Sequence, residues 1–190
     1  MRRLLPALAL LLLLAGCGEE SSSGWTQVSE DAMTDAQQSQ RSRGEAAKKA
    51  LFGGLFGRLT QAMAKGPAEA IHVCNAEAPT ITAGAGEAHM LKIGRTSYRL
   101  RNPKNAPPEW AKPYVARRTP GPVWLAHEDG RLAGLLPIPT MNVCLTCHGP
   151  WAQIEQPVRK ALAEHYPEDR AYDFNTGDLR GWFWLEVPAK

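Results

Sequence analysis

The chain predicts a single α+β domain, with antiparallel strands and helices laid against them. Three patterns lead there: a helical apolar stripe over residues 42–65, an alternating stretch over 90–101, and two short apolar runs around Glu128-Asp129-Gly130. Length agrees, because 190 residues that are 44% hydrophobic and 22% charged supply one ordinary globular core. The formal net charge of +3, from 22 Lys and Arg against 19 Asp and Glu, is too small an excess for a phosphate-binding footprint. Nucleic acid is therefore excluded as a partner.

The first residues stand outside that core. Arg2 and Arg3 precede an apolar run from Leu4 to Ala15, and Leu14-Ala15-Gly16-Cys17 closes it with small residues before a cysteine. This is the pattern of a lipoprotein export signal, residues 1–16, with lipidation at Cys17. A membrane-crossing anchor needs about 20 apolar residues, and this run ends at Gly16, just before Glu19 and Glu20. Two acyl chains on Cys17 give stable membrane attachment where one chain does not. Gly18 follows the lipid site, where an Asp marks inner-membrane retention in lipoproteins of this type. The expected location is thus the outer membrane, facing the periplasm. Residues 17–40, Ser-rich at their start, are expected to be a flexible tether, and 41–190 the folded domain.

Within that domain, Leu51, Phe52, Leu55, Phe56, Leu59 and Met63 form the helical stripe, weakened by Gly44, Gly53, Gly54 and Gly57. A second helix is expected from Pro67, suited to a first turn, to Pro79, which ends it, with Ile71, Cys74 and Ala78 on one face. Residues 90–101 read as a strand, ended by the turn Asn102-Pro103-Lys104-Asn105-Ala106-Pro107-Pro108. Residues 123–126 and 132–136 form a hairpin about Gly130. A helix from Pro157 to about Tyr166 and a last strand over 181–187 complete the pattern.

Cys144-Leu145-Thr146-Cys147-His148 carries the chemistry. C-x-x-C-H is the attachment signature of c-type haem: two thioethers tether the porphyrin edge and the adjacent imidazole takes the iron. Export favours it, since this maturation occurs outside the cytoplasm. A thioredoxin-type C-x-x-C wants a strand before it and a helix opening at its first cysteine, whereas Pro137, Pro139 and Asn142 precede this one and Gly149-Pro150 follow, which reads as a loop. A zinc site wants a second ligand pair at comparable spacing, and the sequence has none.

A six-coordinate iron needs a second axial ligand. Cys74 is the cysteine left over once Cys17 takes lipid and Cys144 and Cys147 take haem. On spacing alone it stands level with a Met or His among Met63, Met90, Met141, His89 and His127, and a free cysteine is more often a small buried hydrophobe. His72 turns away from the inward face of its helix. In the strand, Arg95, Ser97, Arg99 and Arg101 alternate onto one face, where guanidiniums either bind haem propionates or lie solvated; Arg95 and Arg99 are the candidate propionate contacts.

Ala70-Ile71-His72-Val73-Cys74 with Ala78-Pro79, the stretch Ile93 to Pro107 with its Arg95-Thr96-Ser97 and Asn105-Ala106-Pro107, and the tail through Tyr166-Pro167 to Gly177-Asp178-Leu179-Arg180-Gly181 resemble the exported single-haem c-type proteins with a PAS-like sensor fold. The resemblance covers roughly residues 42–187. It implies an antiparallel PAS-like sheet flanked by helices, and iron ligated by His148 and, from the upstream helix, by Cys74. The chain departs from that family where Trp182-Phe183-Trp184 replaces smaller residues and where Asp173 stands at a common glycine. Family members are free periplasmic proteins or sensory portions of signalling proteins. The expectation is a non-enzymatic cytochrome that exchanges electrons with a redox partner protein, the alternative being a redox or gas sensor acting through a separate signalling partner. No constellation for catalysis is visible.

Overall fold

A computed structural model of the chain describes residues 24–189. The export signal, Cys17 and Gly18 lie outside the described residues. Strand β1 (Trp25–Gln27) leads, through a short turn, into the long helix α1 (Asp35–Met63), then α2 (Pro67–Ala76), α3 (Ala78–His89) and β2 (Lys92–Thr96). A short helix α4 (Lys112–Ala116) precedes the hairpin β3 (Val123–His127) and β4 (Leu132–Pro139). After it come the single turn α5 (Leu145–His148), α6 (Gln156–His165) and β5 (Leu179–Val187). The five strands form one antiparallel sheet in the order β1-β3-β4-β5-β2, which is the α+β arrangement the patterning predicts.

The folded part starts well before residue 41. Trp25 is buried and pairs with His127, so the sheet reaches into the segment expected to be tether. Helix α1 opens at Asp35 behind a capping box: Thr34 Oγ1 accepts from the Gln37 backbone N–H, and Gln37 Oε1 accepts from that of Thr34 at 2.9 Å.

The sheet is covered on both faces. On one, Ala47 and Leu51 of α1 and Ala85 of α3 pack with Ile93, Trp124, Leu136, Phe183 and Leu185. Gly44 lets α1 come this close, since a Cβ there would stand 2.9 Å from Leu185 Cδ1. On the other face, Trp110, Ala111 and Val115 cover Trp25, Leu125, Leu135 and Trp182. A smaller core joins α2 to α6 through Ile71, Val158, Leu162 and Tyr166.

Two expectations need correction here. Pro79 does not only stop a helix; it occupies the first turn of α3, a helix whose Ala, Gly and Thr sequence has no apolar stripe to announce it. Strand β2 stops at Thr96 rather than 101, because the Ser97 hydroxyl donates to the Arg180 carbonyl at 2.7 Å and accepts from the Arg99 backbone N–H, turning the chain out of the ladder. Among the described residues, no helix is long and apolar enough to cross a membrane.

Candidate cofactor site

Between the C-terminal half of α1, the helices α2 and α3, and the end of the sheet lies a cavity of about 680 Å³, the size of a cofactor pocket. Leu55, Phe56 and Leu59 of α1 form an apolar wall. Phe52, 39% exposed, stacks on Phe56 with centroids 5.5 Å apart and stands at the mouth. The predicted stripe of α1 is thus divided: Leu51 faces the sheet, Phe52, Leu55, Phe56 and Leu59 line the cavity, and Met63 packs with Ala70 and Val73 of α2.

Cys74, Cys144 and His148 all line this cavity. Helix α2 brings Cys74, and it is tied down on both sides: Arg58 of α1 holds Glu77 at its end through bonds of 2.6 and 2.7 Å, and Asn75 donates to the His165 carbonyl of α6 at 3.0 Å. Burial pushes the Cys74 thiol up, against the pull of the Arg95 and Arg101 charges. Cys147 turns towards the core around Ile71 and Val158, and burial pushes it up to about 11. Cys74, Cys144 and Cys147 are free thiols.

The motif is a helical turn and not an open loop. A short 3-10 turn over Asn142–Cys144 leads into it from the end of β4 at Pro139, and the Gly149 backbone N–H closes it on the Leu145 carbonyl at 2.8 Å. The loop 169–174 lies against it, with Asp173 N–H donating to the Gly149 carbonyl and Phe174 N–H to that of His148. Asp173 adopts φ 59°, the left-handed conformation that explains the glycine common at this position.

His148 is oriented by this loop. Its Nδ1 lies 2.6 Å from the Ala171 carbonyl oxygen, which only accepts, so Nδ1 carries the proton and Nε2 keeps its lone pair. Burial and the Arg180 and Arg101 charges hold the imidazole well below its ordinary pKa, in the neutral form a metal requires. The edge of Phe174 packs at 6.3 Å.

Besides Arg58 of α1, the guanidiniums Arg95, Arg101 and Arg180 reach the cavity. Arg101 has a carboxylate, Asp169, at 3.1 Å, as Arg58 on the α1 wall has Glu77, whereas Arg95 and Arg180 have none. Burial lowers the pKa of Arg95 and brings that of Arg180 down to about 9. Arg180 Nε and the Thr96 hydroxyl are buried without partners. Such a surplus of sheltered cations and orphaned donors suits an anionic ligand.

Arg99 departs from expectation. With the strand ended at Thr96 it leaves the Arg95 face, donates to the Tyr172 and Asp173 carbonyls at 2.9 and 3.3 Å, and does not line the cavity. Arg180 takes the role instead, and spacing gave no sign of it. A register shift pairs Ile138 with Gly181 and Pro139 with Leu179, leaving Arg180 unopposed on a bulge that aims its side chain inward. The only local signal is Gly181, where a Cβ would stand 2.2 Å from the Thr96 carbonyl oxygen.

Of the alternative ligands, Met141 alone lines the cavity beside Cys74. Met90 is 71% exposed and His127 pairs with Asp129 at 2.8 Å across the sheet from the site. His72 is exposed, its ring 5.6 Å from that of His165.

Fold and cavity together define an α+β protein with a cavity lined by buried cations, an apolar helix wall, an imidazole and two cysteine-bearing elements. The chain belongs to the Tll0287-like family, which matches residues 21–188. Its fold is similar to that in the crystal structure of the cyanobacterial haem protein Tll0287, with a TM-score of 0.58 and 22% identity over 79% of this chain and 95% of that one. No curated protein matches the chain.

Proposed function

We propose that the protein is a single-haem c-type cytochrome with a PAS-like fold, lipid-anchored through Cys17 on the periplasmic side of the outer membrane, that exchanges electrons with a redox partner protein and catalyses no reaction of its own. The support is His148, whose proton is fixed on Nδ1 by the Ala171 carbonyl while its ring lines a cavity that Cys74 and Cys144 also line. That the related Tll0287 is a haem protein agrees with it.

Bound haem supplies a one-electron ferric/ferrous couple. Cys144 and Cys147 would hold it through thioethers, and His148 and Cys74 would ligate its iron. Arg95 and Arg180, with Thr96, would take the propionates, offsetting charge that is otherwise buried without a carboxylate. The α1 wall of Leu55, Phe56 and Leu59 excludes water from the ring.

Denaturing electrophoresis with peroxidase staining tests attachment: stain should stay on the chain and vanish from Cys144→Ser/Cys147→Ser. Optical spectra in both redox states, with and without carbon monoxide, test the role. An electron carrier keeps six-coordination and ignores the gas. A sensor acting through a separate partner releases Cys74 and binds it, a reading favoured by the packing of α2 against α1, α3 and α6, which would feel the release.

A further inference from the structure

The Ala171 carbonyl accepts two donors at once. His148 Nδ1 approaches at 2.6 Å and Arg101 Nη2 at 3.3 Å. The guanidinium cannot swing away, because Arg101 Nε donates to Asp169 Oδ2 at 3.1 Å, Nη2 also donates to the Cys147 carbonyl, and the Asp169 and Arg101 side chains are 7% and 10% exposed. Asp169 Oδ1 in turn accepts from the Ala171 backbone N–H at 2.7 Å. Arg101, Asp169 and Ala171 thus form a closed ring on the rear side of His148. Arg101 faces the cavity like Arg95 and Arg180, yet its Nε and Nη2 are committed to protein acceptors.

The partner of a ligating imidazole's second nitrogen sets the ligand's basicity: the stronger the pull on that N–H, the stronger the donor. A carbonyl shared with a cation pulls less, since the guanidinium draws on the same oxygen. We infer that Arg101 is a positioning residue that moderates the donor strength of His148 by sharing the Ala171 carbonyl. This rests on the haem reading. Its effect opposes that of a thiolate ligand, which favours ferric iron, and so raises the reduction potential.

Arg101→Lys is the discriminating variant. It keeps the charge, so a plain field effect predicts an unchanged potential, but a single ammonium cannot hold Asp169 from one nitrogen and the Cys147 and Ala171 carbonyls from another, as Nε and Nη2 do. Carbonyl sharing predicts a ferric-to-ferrous ratio about threefold to tenfold higher at fixed ambient potential, tenfold being 59 mV for one electron. It also predicts slower solvent exchange of the His148 ring proton by NMR, because its hydrogen bond strengthens, whereas a merely structural clamp predicts faster exchange from a loosened loop. An unmoved potential or a faster-exchanging proton overturns the inference. If Arg101→Lys does not fold, Arg101→Gln carries the same exchange test. A parent chain without bound haem instead removes the haem reading itself.

Discussion

The Ser97 hydroxyl donates to the Arg180 carbonyl at 2.7 Å, so the residue that ends β2 also fastens the bulge of β5. Two departures from regular strand are in effect one joint, and it turns Arg95 and Arg180 towards the same cavity.

Arg180→Met should act with opposite sign on the two forms of the protein. The cofactor-free chain, relieved of a buried cation with an unpartnered Nε, should gain about 1–3 kcal/mol in urea unfolding. The haem-loaded chain should lose stability as a propionate loses its counter-charge. Equal effects on both would detach Arg180 from the cofactor.

Gly181→Ala should be costly, by about 1–3 kcal/mol or more, because the new methyl would meet the Thr96 backbone oxygen at 2.2 Å and not a movable side chain. Thermal unfolding checks the cost, and the haem spectrum should shift as the neighbouring Arg180 is displaced.

Cys74→Ala should raise the reduction potential and open a coordination position to imidazole or cyanide, each tenfold change in the ratio of oxidation states being about 59 mV or 1.4 kcal/mol for one electron. Potentiometry with ligand titration measures both. An unaltered ferric spectrum would transfer the ligand role to Met141, the candidate methionine that lines the cavity.

Cys17→Ser should move the protein from the detergent phase to the aqueous phase while its haem spectrum stays unchanged. Acyl mass on the variant, or unaltered partition, would overturn the anchoring.

What could be seen in advance follows the range of the interactions responsible. The hairpin about Gly130 and the C-x-x-C-H motif are local, and the sequence shows them, although the motif reads as a loop and forms a helical turn. The role of Cys74 rests on the family resemblance and not on spacing. Distant partners decide the rest. Trp25 falls in the segment expected to be tether, and what makes it strand is its pairing with His127, about a hundred residues on. The expected arginine face fails because Ser97 finds a partner in β5, which no alternation within residues 90–101 can reveal. Arg180 depends on a bulge defined by two strands at once.

The early start of the sheet has a consequence in length. If Cys17 is acylated, only Gly18 to Gly24 separate the lipid from Trp25. Seven residues pulled straight reach about 25 Å. With that anchor the domain would stay close above the bilayer surface, so a partner would have to sit in the same membrane or come to it, and the protein would not shuttle across the periplasm.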